Sequence, residues 1–291
     1  MMADVIILGN GPAGISAAAY TARAGLSTIV IGRDKGALTR AGKIENYYGF
    51  PTPISGEELV QNGIDQASRL GAEMINDEIV GISYEDQFVL QSKTGEYRSA
   101  HVILATGASR RAPKIDGLPE FEGKGVSYCA VCDAFFYKKK SVAVLGDGEY
   151  ALHEVMELLP VVGSVTLLTN GKEPNVSFPA EVSINKQEIS SFHGDIILES
   201  VLFKDGSTLP INGVFIAVGV AGSSDFAKSL GAETEGIAIV VDENMQSSVP
   251  GLYAAGDCTG GMLQIVKAAY DGAKAAMSVI KQVRQARQSA L

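Results

Sequence analysis

Apolar positions along the chain repeat one arrangement twice. Asp4–Leu8 is a nearly continuous apolar run, the mark of a strand buried on both faces. It ends in Gly9-Asn10-Gly11-Pro12-Ala13-Gly14, after which an alanine-rich helix is predicted from about Ile15 to Ala24, closed by Gly25 and followed by a strand at Ser27–Ile31. Past a loop from Gly32 to Pro53, the spacing predicts a helix over Gly56–Leu70, several short strand-like runs, and a buried-type strand His101–Ala105 leading into Thr106-Gly107-Ala108. The stretch RRAPKIDGLPEFEGKG, rich in proline, glycine and charge, reads as a linker. The pattern then restarts, with a strand Ser141–Leu145, the turn Gly146-Asp147-Gly148, a helix Glu149–Leu159 and a strand Ser164–Leu168. A strand is expected within Asn212–Val218, and another, Leu252–Ala255, runs into Gly256-Asp257. A small-residue helix from Gln264 to Val283 precedes a tail, RQARQSAL, read as frayed.

At 291 residues the chain has room for two domains of ordinary size. Its formal net charge of −9 argues against a nucleic-acid partner, which needs a basic stripe to displace counterions. No apolar run reaches the roughly 18 residues of a membrane span, and the N-terminus lacks the basic region of a signal peptide. Of only three cysteines, two form a Cys-x-x-Cys pair, which in a cytoplasmic protein, the expected setting, points to redox or metal chemistry rather than a disulfide framework. A zinc site needs two further ligands, and Cys258, His101, His153 and His193 offer no second pair at zinc spacing, so no metal site is expected.

Gly9, Gly11 and Gly14 fit G-x-G-x-x-G between a strand and a helix. The first glycine permits the tight turn, the second lets backbone approach a pyrophosphate, and the third allows close helix-on-strand packing. Asp34, the acidic candidate for a ribose, lies just past the second strand, and the motif alone does not separate FAD from NAD. The other anchor is Cys129-Ala130-Val131-Cys132-Asp133. Cysteines at a helix start gain thiolate character from the helix dipole. Asp133 is either a proton shuttle for the dithiol or a solvated first-turn carboxylate. Cys258 reads as a small core residue.

Taken together, Gly9–Gly14, Glu45-Asn46-Tyr47, Ala105–Ala108, Cys129–Asp133 and Ala255-Gly256-Asp257 stand in an order that resembles the low-molecular-weight thioredoxin reductases, over nearly the whole chain. The resemblance implies an α/β fold of two Rossmann-like, three-layer domains of the FAD/NAD(P)-binding type, the second inserted in the first. An FAD domain would comprise residues 1–113 and 242–291, with an inserted dithiol domain over 114–241 and a homodimeric assembly. Gly9, Gly11, Pro12, Ala13 and Gly14 would line the FAD pyrophosphate, and Asn46, Thr106 and Gly107 would contact the flavin half. Gly256 and Asp257 would meet the ribityl or phosphate region, and Gln264 the pyrimidine end of the ring, with Ile79 also among the cofactor contacts. The residue before Gln264 is usually basic in the family; here it is Leu263. Cys132 would face the flavin, Cys129 would attack thioredoxin, and Asp133 would act as the acid.

The second glycine turn departs from that pattern. Where the family carries a neutral glycine this chain has Asp147, and where a His-Arg-Arg run clamps the 2′-phosphate of NADPH it reads Thr169-Asn170-Gly171-Lys172-Glu173. No arginine occurs between Ala112 and Val283, although a phosphomonoester needs bidentate or multiple cationic donors. The turn is therefore expected to keep its shape without its dinucleotide. Lacking the clamp, the chain resembles the ferredoxin-dependent flavin thioredoxin reductases, which makes ferredoxin the expected electron donor and thioredoxin the acceptor. Ferredoxins are acidic, so a docking patch would be locally basic, with Arg110-Arg111 and Lys114, or Lys138-Lys139-Lys140, as candidates. An NAD(P)H-dependent reductase with an unusual site, a flavin redox sensor, and a reductase of another dithiol substrate remain open alternatives.

Overall fold

The computed structural model describes residues 2–33, 36–107, 113–128, 130–219 and 222–289, excepting the side chains of Val131 and Cys132. Its α-helices are α1 (Pro12–Arg23), α2 (Gly56–Arg69), α3 (Ala130–Asp133), α4 (Glu149–Leu158), α5 (Ser223–Ser229) and α6 (Ile265–Ser289). The chain divides into two compact units, one of residues 1–109 and 222–291, the other of residues 110–221.

In the first unit a five-stranded parallel sheet runs in the order Leu252–Ala254, Val102–Leu104, Val5–Leu8, Thr28–Ile31, Glu73–Ile75. Four of its strands are buried at every residue, as fits a sheet covered on both faces, while the edge strand Glu73–Ile75 opens on an exposed glutamate. On one face α1 and α6 pack through alanine and glycine: Ala13, Ala17, Ala268, Ala275 and Ala276 share one core, and a Cβ on Gly272 would lie 2.0 Å from the carbonyl oxygen of Ala13. Small side chains let these helix axes approach closely, and any larger residue at position 272 would force them apart. A separate four-stranded sheet joins Met2–Ala3, Glu96–Ser99, Phe88–Ser92 and Ile79–Tyr84.

The second unit repeats the plan with a parallel sheet ordered Ser183–Asn185, Ser164–Leu168, Ser141–Leu145, Gly213–Ile216, Val126–Ser127. An antiparallel sheet of Ile189–His193, Ser200–Phe203 and Thr208–Pro210 accompanies it, and one apolar core links the two through Phe192, Val201, Phe203, Leu145 and Val214. The α/β class and the doubled Rossmann-like architecture are thus as the apolar pattern and the resemblance predict.

Three expectations differ from the structure. Helix α1 starts at Pro12 rather than Ile15, because a proline at the first helical position arrives with its φ already set. The tail is not frayed up to Ser289: α6 continues to that residue, and Arg287 donates from Nη2 to both carboxylate oxygens of Asp4 at 2.8 and 2.9 Å. The chain returns to the first unit at residue 222, not 242. The intervening segment is held there because the Ser223 hydroxyl accepts the Thr106 N–H at 3.1 Å, while the Thr106 hydroxyl accepts the Ser223 N–H at 2.9 Å.

Candidate functional site: two glycine turns and a dithiol segment

In the first unit the turn after Val5–Leu8 lies where the strand order reverses, with Thr28–Ile31 on one side and Val102–Leu104 on the other. Such a switch point, at the carboxyl ends of parallel strands, is where open α/β sheets take ligands. The backbone there is tight: Gly9 has φ +110°, and a Cβ on it would stand 2.3 Å from the Ala105 carbonyl oxygen. A Cβ on Gly14 would stand 1.8 Å from the Gly9 carbonyl oxygen. Gly11 is different, since a Cβ on it would meet nothing within 4 Å. Its backbone faces open space in front of α1, so the turn fits a pyrophosphate approaching the helix N-terminus.

Three neighbouring strand ends bring Gly9–Gly14, Thr106-Gly107 and Gly256-Asp257 to this same edge. Across 218 residues of sequence, the Asn46 amide donates to Gln264 Oε1 at 3.2 Å, so these two expected contacts also converge. Ile79 opens a strand of the four-stranded sheet with its side chain buried, leaving backbone as what it can offer. Asp34 and Ala108 lie outside the described residues.

The loop bearing Asp257 is tied down by residues the motif reading did not single out. Lys267 Nζ donates to the Gly256 and Gly260 carbonyls and to Thr259 Oγ1, each at 2.7 Å, and pairs with Asp271 at 2.8 Å. The same Asp271 oxygen accepts the buried Gly256 N–H at 3.1 Å. Four-residue spacing of Lys267 and Asp271 on α6 was the available signal. Cys258 is fully buried beneath this loop, its thiol donating to the Leu104 and Ala255 carbonyls at 3.4 and 3.3 Å. Burial pushes that thiol up to about 11, as befits an unreactive core residue.

The second unit's turn follows Ser141–Leu145, again at a strand-order reversal, and keeps its packing: a Cβ on Gly146 would collide with the Ala217 carbonyl oxygen at 2.3 Å. In front of α4, however, the chain meets itself. Asp147 pairs with Lys172 at 3.0 Å, its carbonyl accepts the Asn175 N–H at 2.8 Å, and the Asn175 carboxamide stands 3.2 Å from a Cβ built on Gly148. Gly148 occupies the place in this turn that Gly11 occupies in the first, and its approach is taken by Asn175.

Cys129 and the Cys132 side chain lie outside the described residues, but their surroundings do not. Residue 132 falls in α3, a helix of only four residues after the edge strand Val126–Ser127. Asp133 accepts the Ser127 hydroxyl at 2.7 Å. Two buried residues of α4 reach the same segment: Tyr150 donates its hydroxyl to the Tyr128 carbonyl at 3.2 Å, and Glu154 Oε2 accepts the Ala130 N–H at 2.6 Å. Past Asp133, Phe135 and Phe136 are exposed, as are Lys138, Lys139 and Lys140. Lys114 is also exposed, whereas Arg110 and Arg111 lie outside the described residues. Among the described residues no group of three or more metal-ligating side chains occurs, and no helix is long and apolar enough to cross a membrane.

Two glycine turns at strand-order reversals, with the helix after the second bonded to backbone that flanks a Cys-x-x-Cys in sequence, suit a dinucleotide-dependent disulfide chemistry. The chain belongs to the pyridine nucleotide-disulphide oxidoreductase family, whose model matches residues 3–289. It is a homologue of thioredoxin reductases. It is 40% identical to the thioredoxin reductase of Aquifex aeolicus over 96% of this chain and 92% of that protein. An atypical thioredoxin reductase from Desulfovibrio vulgaris Hildenborough shares its structure with a TM-score of 0.88 at 42% identity, covering 96% of this chain and 98% of the other. A ferredoxin-flavin thioredoxin reductase from Clostridium acetobutylicum gives a TM-score of 0.71 at 31% identity, over 98% and 99% of the two chains.

Proposed function

We propose that the chain is a cytoplasmic, homodimeric, FAD-dependent reductase of thioredoxin that draws its electrons from reduced ferredoxin rather than from NAD(P)H. FAD is held at the first glycine turn, by Gly9, Gly11, Pro12, Ala13 and Gly14 on the pyrophosphate and by Asn46, Ile79, Thr106, Gly107, Gly256, Asp257 and Gln264 along the rest of its length. When bound it supplies a centre that accepts electrons singly and returns them as a pair to a disulfide.

One contrast carries the choice of donor: the approach to Gly11 is open, while the equivalent approach to Gly148 is filled by Asn175 beside the Asp147–Lys172 pair. A dinucleotide would have to displace that loop and set its pyrophosphate against a carboxylate. At about 5 Å this repulsion amounts to roughly 1–3 kcal/mol per pair of charges, depending on how far water screens it. The absence of arginine from 113 to 283 removes the usual compensation by a phosphate clamp. The exposed lysines at 138–140, close in sequence to the dithiol, suit an acidic electron carrier. Exposed Val266, Tyr270 and Met277, spaced along one side of α6, suit burial against a second copy.

Two reduced ferredoxins and two protons are consumed for each thioredoxin disulfide converted to two thiols. With the internal disulfide open, the Cys129 thiolate attacks one thioredoxin sulfur; the S–S bond breaks and the departing sulfur takes a proton. Cys132 then attacks Cys129 in the mixed disulfide, releasing the second thioredoxin thiol and restoring the Cys129–Cys132 bond. The acid role falls to Asp133, and the hydrogen bond it accepts from the Ser127 hydroxyl supports that reading.

The test is thioredoxin turnover driven by a photoreduced ferredoxin. The native enzyme turns over many thioredoxins, while Cys129→Ser retains reduction of its flavin by ferredoxin and loses all turnover. Turnover surviving in Cys129→Ser contradicts the proposed chemistry.

A further inference from the structure

Helix α4 follows the glycine turn whose approach its own chain now fills, yet its first two turns are engaged elsewhere. Tyr150 and Glu154 are four residues apart and therefore on one face. Each is 5% exposed, and both side chains end on the backbone of the dithiol segment. Tyr150 holds the carbonyl of Tyr128, the residue before Cys129. Glu154 holds the N–H of Ala130, the residue after it. The Tyr128 carbonyl and the Ala130 N–H, which flank one cysteine in sequence, are thus held from a single helical face by two buried side chains.

We infer that Tyr150 and Glu154 are positioning residues of the dithiol, a two-point clamp that fixes the main chain around Cys129 and so sets how readily it pairs with Cys132. This rests on the proposed role of those cysteines, and it gives α4 a function in this chain that needs no bound nucleotide. Holding one thiol at a fixed place raises its effective concentration toward the other, which favours the disulfide over the open dithiol. Releasing one pin of ordinary hydrogen-bond strength should shift that equilibrium about two- to tenfold toward the dithiol.

The experiment equilibrates the holoenzyme with graded dithiothreitol buffers, traps free thiols by alkylation, and counts modified Cys129 and Cys132 by peptide mass spectrometry. It needs neither ferredoxin nor thioredoxin, so an error about the electron donor leaves the result intact. Tyr150→Phe, which removes only a hydroxyl, and Glu154→Leu are each expected to shift the equilibrium toward the dithiol by the factor above. Glu154→Gln, which keeps an oxygen acceptor, should stay within about twofold of native. Melting curves of each variant accompany the titration. A Tyr150→Phe enzyme that melts lower but keeps the native equilibrium reduces these contacts to packing and overturns the inference. So does a Glu154→Gln enzyme that shifts as far as Glu154→Leu, since charge and not the hydrogen bond would then be responsible.

Discussion

Replacing Asp271 by alanine removes a carboxylate that ties α6 to the loop carrying Asp257. Asp271 is 3% exposed, and a single oxygen of it both pairs with Lys267 and accepts the Gly256 N–H. Breaking a fully buried ion pair costs about 3–5 kcal/mol. Here Lys267 keeps three oxygen acceptors and its side chain is 18% exposed, so the loss of its counter-ion is better placed at about 1–2 kcal/mol. The stranded Gly256 N–H adds about 1–2 kcal/mol. The sum, about 2–4 kcal/mol, corresponds to a fall in Tm of roughly 5–15 °C for a unit of this size. Differential scanning calorimetry with and without added FAD measures it. The apoprotein should show the whole fall and the holoprotein a further loss, because the displaced loop is a proposed cofactor contact. Asp271→Asn, which can still accept from Gly256, should recover about half. An alanine variant that melts within about 1 °C of native refutes the reasoning, because a network worth more than about 0.5 kcal/mol could not vanish so quietly.

In the folded, oxidised protein Cys258 should resist maleimide at pH 8, where a thiol displaced to about 11 is roughly one-thousandth thiolate, and should label fully on unfolding. Replacing Lys138, Lys139 and Lys140 by glutamate should raise the KM for ferredoxin at low salt about tenfold or more, with kcat for pre-reduced enzyme unchanged and the effect shrinking as salt is added. Burial holds His101 and His153 below the ordinary imidazole value near 6.5. The unfolded chain therefore takes up protons first as pH falls through 6.5, and urea midpoints should decline steadily from pH 7 toward pH 5. His101→Gln should flatten part of that decline.

Much of this architecture is legible in the order of residues. A strand buried on both faces is a short apolar run, and Val5–Leu8, Ser141–Leu145 and Ser164–Leu168 each announce themselves that way between glycine punctuation. Gly9, Gly11 and Gly14 are legible because the turn admits no side chain at two of them and leaves the third facing outward. What sequence spacing hides is whatever depends on distant partners. Ser223 meets Thr106 across 117 residues, and nothing local in either predicts it, which is why the chain's return to the first unit is easily placed too late. Arg287 finds Asp4 across 283 residues and carries the last helix further than its apolar pattern does. The run Thr169–Glu173 is visible in sequence as a missing clamp, but only the folded loop shows Lys172 turned back on Asp147 and Asn175 set against Gly148. Tyr150 and Glu154 look like ordinary helix positions until the backbone they hold is known to flank a cysteine.

The choice of electron donor is tested most directly by mixing the oxidised holoenzyme anaerobically with one equivalent of NADPH, of NADH, or of photoreduced ferredoxin, and following the flavin's visible absorbance. Ferredoxin should bleach the flavin rapidly, and neither nicotinamide should bleach it stoichiometrically. Prompt, complete bleaching by NADPH or NADH would contradict that choice, and would mean that the loop holding Asn175 against Gly148 opens for a dinucleotide after all.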